Sequence, residues 1–177
     1  IVTPQRMASR DSPESDLKTG IFHATDKPMR IILRHAVAED FEYCKRLYFA
    51  GMKDIIEQLG LDMAAQTASF PQQWAVAQVR IISADGSDVG WLQSAVREEG
   101  LFVGQLFVDA PFQGQGIGTQ VMKQLIGEAA GRNQAVSLAV AKINPALRLY
   151  KRLGFRITHH DDRKFYMTLD PDAARFL

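Results

Sequence analysis

The chain holds one cysteine, Cys44, among its 177 residues. A single thiol closes no internal disulfide, and a cysteine-rich zinc site is excluded with it. Such sparse cysteine suits a reducing compartment. No apolar run nears the roughly 20 residues that a membrane-spanning helix needs. The first residues also lack the basic start and apolar centre of a secretory leader. The expectation is a soluble, cytoplasmic protein with no membrane partner. Charge of one sign is equally scarce: 21 basic and 20 acidic side chains leave a formal net charge of +1. Without a basic excess or stripe, nucleic acid is not an expected partner. The 4 histidines are scattered and no paired acidic signature accompanies them, so no metal-ligand set emerges. Internal repeats are absent.

What remains is ordinary globular material, 46% hydrophobic and 23% charged. The length suits one compact core with an appended arm. Residues 1–28 are rich in Pro, Ser, Thr, Asp and Lys and show no sustained periodicity. They read as an N-terminal extension or a cloning-derived arm. Met29 stands directly before a strand-like run, Arg30 to Arg34, and reads as a natural start of one domain over residues 29–177.

From Glu39 the apolar residues Phe41, Cys44, Leu47, Tyr48, Met52 and Ile55 recur at helical spacing. A second short helix is expected near Met63–Phe70, stopped by Pro71. Val76–Ser83 and Val89–Val96 read as strands, with Asp85-Gly86 in a connection longer than two residues. Leu101–Val108 is apolar on both faces, as a covered central strand should be. Gly118–Arg132 carries Val121, Met122, Leu125, Ile126 and Ala129 on one helical face. Val136, Leu138 and Val140 mark a further strand. Asn144-Pro145 opens a helix and Gly154 ends it. Phe155–Thr158 and Lys164–Leu169 close the domain as strands. The fold class is α/β (α+β), a mixed sheet rather than a sandwich or a bundle.

The most informative stretch runs from Leu106 through Gln113-Gly114-Gln115-Gly116-Ile117-Gly118-Thr119. A buried strand enters a turn with three alternate glycines and then an amphipathic helix. The first turn of a helix carries unpaired N–H groups and partial positive charge. Glycines let the backbone approach an anion closely. The segment therefore reads as a cradle for a phosphorylated ligand. A mononucleotide P-loop needs Lys and then Ser or Thr after its last glycine, and Gly118 is followed by Thr119-Gln120. A dinucleotide fingerprint needs its third glycine one residue later.

The remaining pattern, Gln113-x-x-Gly116-x-Gly118, resembles the pyrophosphate loop of the GNAT superfamily of acyl-CoA N-acyltransferases. Asn144 to Phe155 is similar to that family's later segment: an Asn opening a helix, a Tyr near its end, then Gly-Phe. The resemblance spans about 140 residues, with two specific motifs. It implies a central twisted sheet of six to seven strands flanked by about four helices. It also implies acetyl-CoA as co-substrate, no metal, a primary amine of a small molecule or peptide as acceptor, and a homodimer as in many relatives. By resemblance, the backbone of Gln113, Gly114, Gln115, Gly116, Ile117, Gly118 and Thr119 holds the pyrophosphate. The edge of Leu106, Phe107 and Val108 takes the pantetheine arm, and an N–H of Phe107 or Val108 faces the thioester oxygen. Asn144 meets the pantetheine, and Tyr150 is the general acid for the departing thiolate.

The amine must also lose a proton, because its pKa lies near ~10.4 in water. Glu57 is the candidate base. His35, His159, His160 or a chain of water are the alternatives. Cys44 lies on the apolar face of its helix and reads as core rather than as an acyl-carrying nucleophile, so direct transfer in a ternary complex is expected. Met63, Gln66, Phe70 and Trp74 are candidates for an acceptor pocket or for core. A catalytically silent acyl-CoA sensor or assembly module is the competing class, and Tyr150 weighs against it. A dinucleotide-dependent oxidoreductase is the third, disfavoured by the loop spacing.

Overall fold

The computed structural model describes residues 29–174, so the expected arm at 1–28 lies outside the described residues. Seven strands form one sheet in the order β1-β2-β3-β4-β5-β7-β6. In the chain, β1 (Ile31–His35) is followed by helices α1 (Phe41–Gln58) and α2 (Met63–Gln73). Then come β2 (Val79–Ala84), β3 (Ser87–Arg97) and β4 (Gly100–Val108). Next are α3 (Ile117–Ala130), β5 (Ala135–Ala141) and α4 (Leu147–Arg152), and the domain closes with β6 (Arg156–His160), β7 (Lys164–Leu169) and α5 (Pro171–Ala174). All neighbouring strands are antiparallel except β4 and β5.

Two local expectations change. Pro71 does not stop α2, which continues to Gln73. Proline in the last turn forfeits one hydrogen bond, and the helix ends one residue later with Trp74 N–H on the Phe70 carbonyl. The β2–β3 connection is only two residues long, since Ala84 pairs with Ser87. Asp85 and Gly86 both have positive φ, 48° and 89°, as a tight type I′ hairpin turn demands. Val76–Gln78 forms a short 3₁₀ turn ahead of β2 rather than part of it.

The two sheet faces bury separate cores. On one, α3 inserts Val121, Met122, Leu125, Ile126 and Ala129, each 2% exposed or less, as its periodicity predicts. On the other, α1 and α2 pack an aromatic cluster: Tyr48, Phe70, Trp91 and Phe107, with Trp91 fully buried. Neighbouring rings meet at 5.0 Å (Tyr48–Phe70) and 5.3 Å (Trp91–Phe107). Burying each such side chain contributes about 1.5–3 kcal/mol. Cys44 belongs to this cluster at 0% exposure, and burial pushes its thiol up to about 11. No helix among the described residues is long and apolar enough to cross a membrane.

The feature that positions the site is a fork in the sheet. β4 pairs with β5 only from Gly100 to Val103, against Ala135 to Leu138. Gln93 pairs with Gln105 and Ser94 with Val103, so Gly104 is one residue too many in β4. Such a bulge bends the strand. Beyond it β4 stays with β3 and β5 stays with β7.

Candidate active site

The fork opens into a cleft of about 1590 Å³. Its walls include Gly104–Val108 of β4, Ala139–Ala141 of β5, the glycine turn, Asn144 and Tyr150 of the α4 region, and parts of α1 and α2. The cleft thus reaches both faces of the sheet.

Backbone groups alternate along a strand, which decides what each edge offers. Asp109 N–H donates to the Val89 carbonyl at 2.8 Å, toward β3. The N–H groups of Val108 and Leu106 therefore point the other way, into the cleft, and that of Phe107 points at β3. On β5, Lys142 N–H donates to the Arg163 carbonyl at 2.9 Å, toward β7. The N–H groups of Ala141 and Ala139 accordingly face the cleft from its opposite side. Two open edges thus meet across one gap, and unpaired edges seek hydrogen-bonding partners.

The glycine turn sits at the end of β4. Asp109 caps it by accepting from Ala110 N–H at 2.9 Å. The Gln113 side chain donates to the Val108 carbonyl at 2.8 Å, pinning the turn to the strand. Gln113's own N–H is used on the Ala110 carbonyl. Gly114 and Gly116 have φ of 75° and 81°, where side chains are strained. Gly116 is the N-cap of α3, and no acidic residue occupies the helix's first turn. Among the described residues, the N–H groups from Gly114 to Thr119 find no partner, while Gln120 N–H returns to the Gly116 carbonyl. These amides at a helix N-terminus suit a phosphate group. Among the described residues, the cleft walls also carry Lys123, Arg152, Arg163 and Lys164 against one carboxylate, Asp54. That imbalance favours a polyanion.

Asn144, which lines the cleft, accepts from Ala146 N–H with its Oδ1 at 2.9 Å, and its Nδ2 has no hydrogen-bond partner among the described residues. Tyr150 lies on α4, 8% exposed, with its ring edge-on to Phe155 at 5.9 Å. Its side chain makes no hydrogen bond with a described residue. Burial pushes its phenol up to about 12, so it holds its proton throughout the neutral range.

Not every candidate reaches this cleft. Glu57 is exposed and is not among the lining residues, whereas Asp54 and Gln58 are. A helix turns 100° per residue, so the periodic pattern alone did not decide which neighbour faces inward. His35, His159 and His160 also lie outside the lining, and His159 stacks on Tyr166 at 4.2 Å. Gln66 lines the cleft, while Phe70 is core and Met63 is exposed. Gln105 was missed: next to a bulge, its facing is set by tertiary pairing. Among the described residues, no group of three or more His, Cys, Asp or Glu side chains could hold a metal ion.

Residues 74–157 match the family model described as acetyltransferase (GNAT) domain. No curated protein matches the chain in sequence. Solved structures do match in fold. PaiA N-acetyltransferase from Thermoplasma acidophilum, solved in complex with coenzyme A, aligns with a TM-score of 0.66 at 13% identity, covering 80% of this chain and 99% of that one. The ribosomal-protein-S18-alanine N-acetyltransferase from Escherichia coli aligns at 0.59 and 18%, covering 80% and 94%. Ard1 from Thermoplasma volcanium aligns at 0.59 and 21%, covering 79% and 97%. Residues 74–157, which hold the fork and the glycine turn, are thus similar to an acetyltransferase (GNAT) domain, and the described fold is the one these solved N-acetyltransferases share.

Proposed function

We propose that the domain, spanning residues 29–177, moves an acetyl group from acetyl-CoA directly to a primary amine while both are bound. The observation that carries this reading is a single cleft joining unpartnered turn amides to two open strand edges and a protonated phenol. Coenzyme A has a pyrophosphate, an arm with two amides and a thiol, and the lining of the cleft offers a chemical complement to each. Structural neighbours solved with coenzyme A or named N-acetyltransferases support it.

In this mechanism the amides from Gly114 to Thr119 hold the pyrophosphate, and Leu106 and Ala139 pair with the pantetheine amides. Asn144 adds its side-chain amide. Val108 N–H donates to the thioester oxygen as negative charge develops there, which is where such a donor contributes most. The acceptor ammonium first loses a proton to solvent at the cleft mouth. Its nitrogen lone pair then forms the bond to the acetyl carbon, and the carbon–sulfur bond breaks. Tyr150 gives its proton to the departing sulfur and is reprotonated by the second proton leaving the nitrogen. Cys44 takes no part, being fully buried in the cluster that holds Tyr48 and absent from the cleft lining. Glu57 has no role, because its carboxylate does not line the cleft. A protein with one buried thiol and this co-substrate works in the cytoplasm.

Calorimetric titration with acetyl-CoA and with NADH tests the reading. Saturable heat is expected from acetyl-CoA and none from NADH. Heat from NADH alone would return the turn to a dinucleotide enzyme.

A further inference from the structure

The acetyl-transfer reading leaves the acceptor undefined, and the α1/α2 side of the cleft bears on it. The turn, α3 and α4 occupy the other face, so this half is free for the second substrate. Its lining from α1 and α2 has no lysine or arginine and a single carboxylate, Asp54. Asp54 is exposed to the cleft and makes no ion pair with a described residue. Gln58 follows one helical turn later, on the same face of α1. Gln66 approaches from α2. Gln105 lies on β4 two residues before Phe107, so both side chains leave the strand on the α1 face. Among the described residues, the amide groups of Gln58, Gln66 and Gln105 make no hydrogen bond. Each carries both donors and an acceptor.

We propose that the acceptor is a peptide amine, whose ammonium group is received by Asp54 and whose backbone amides pair with Gln58, Gln66 and Gln105. The proposal rests on the acetyl-transfer reading. A peptide presents one cation followed by alternating N–H and C=O groups, and this wall presents one anion followed by three neutral amides. A polyamine fits poorly. It brings several cations to a single carboxylate, and Arg152, Arg163 and Lys164 on the opposite wall repel it. Ile55, Leu59 and Leu61 supply apolar ground for a side chain beside the amine.

The test uses the full chain with acetyl-CoA and three acceptors: a tetrapeptide with a free N-terminus, an N-blocked tetrapeptide containing one lysine, and spermidine. Acetylation of either peptide at a kcat/KM at least ~10-fold above spermidine is expected. Asp54→Asn should raise the peptide KM about tenfold, as loss of a charge-assisted hydrogen bond does. Its acetyl-CoA affinity by calorimetry should stay unchanged. Preference for spermidine, an unchanged peptide KM in Asp54→Asn, or no acetylation of either peptide by protein that binds acetyl-CoA would each overturn the proposal. Absence of acetyl-CoA binding instead overturns the reading beneath it, and the titration separates the two.

Discussion

Gly116→Glu should bind acetyl-CoA at least ~10³-fold more weakly than the natural chain while remaining folded. Two effects combine. The residue has φ of 81°, and a side chain there costs about 1–2 kcal/mol of backbone strain. An added carboxylate about 4 Å from a pyrophosphate charge costs roughly 4 kcal/mol at an effective dielectric near 20. Among the described residues, nothing beyond the adjacent chain neighbours lies within 4 Å of a Cβ built at this position, so the side chain is open to a ligand in the cleft. Gly116→Ala separates the terms: it keeps the strain, removes the charge and should lose only about tenfold. Calorimetry on both variants, with circular dichroism for the fold, reads the difference. Equal and modest losses in the two would mean that no phosphate sits at this turn.

The second large effect is expected from Tyr150→Phe, a loss of about 10²–10⁴ in kcat with little change in acetyl-CoA affinity. The phenylalanine keeps the ring, its burial and its edge contact with Phe155, and removes the hydroxyl alone. The pH dependence makes the test specific. The phenol is held up to about 12 by burial, so it stays protonated across the range in which the protein can be assayed. An acid that never titrates there should lower kcat by the same factor at every pH, and any alkaline fall should survive the substitution. A variant with natural turnover would remove Tyr150 from the reaction.

The places of these two residues in the fold, Gly116 at the start of α3 and Tyr150 on α4, were legible because their signals are local. A glycine that must take positive φ, and a tyrosine following a helix-capping asparagine, announce themselves by spacing. The alternating core of β5 and the apolar face of α3 were readable for the same reason: periodicity reports burial directly. The fork was not legible. It arises from one surplus residue in β4, Gly104, which is a surplus only once Gln93 and Ser94 are paired opposite it. The acidic side chain of the cleft was misplaced by three positions for a related reason. Asp54 and Glu57 lie on neighbouring faces of one helix, and the choice between them depends on how α1 is rotated against β4. Pro71 shows the opposite bias, since a strong local stop signal was overridden near a helix end.

The gap between β4 and β5 leaves the sheet one strand short, and a ligand lying there acts as that strand without being polypeptide. In the free protein the amide hydrogens of Leu106, Val108, Ala139 and Ala141 should exchange rapidly with solvent. Those of Phe107 and Val140, turned inward to β3 and β7, should be protected throughout. Adding acetyl-CoA should slow exchange at every second residue on both edges and leave the residues between unchanged. That alternating record would locate the ligand on the fold before any acceptor is known.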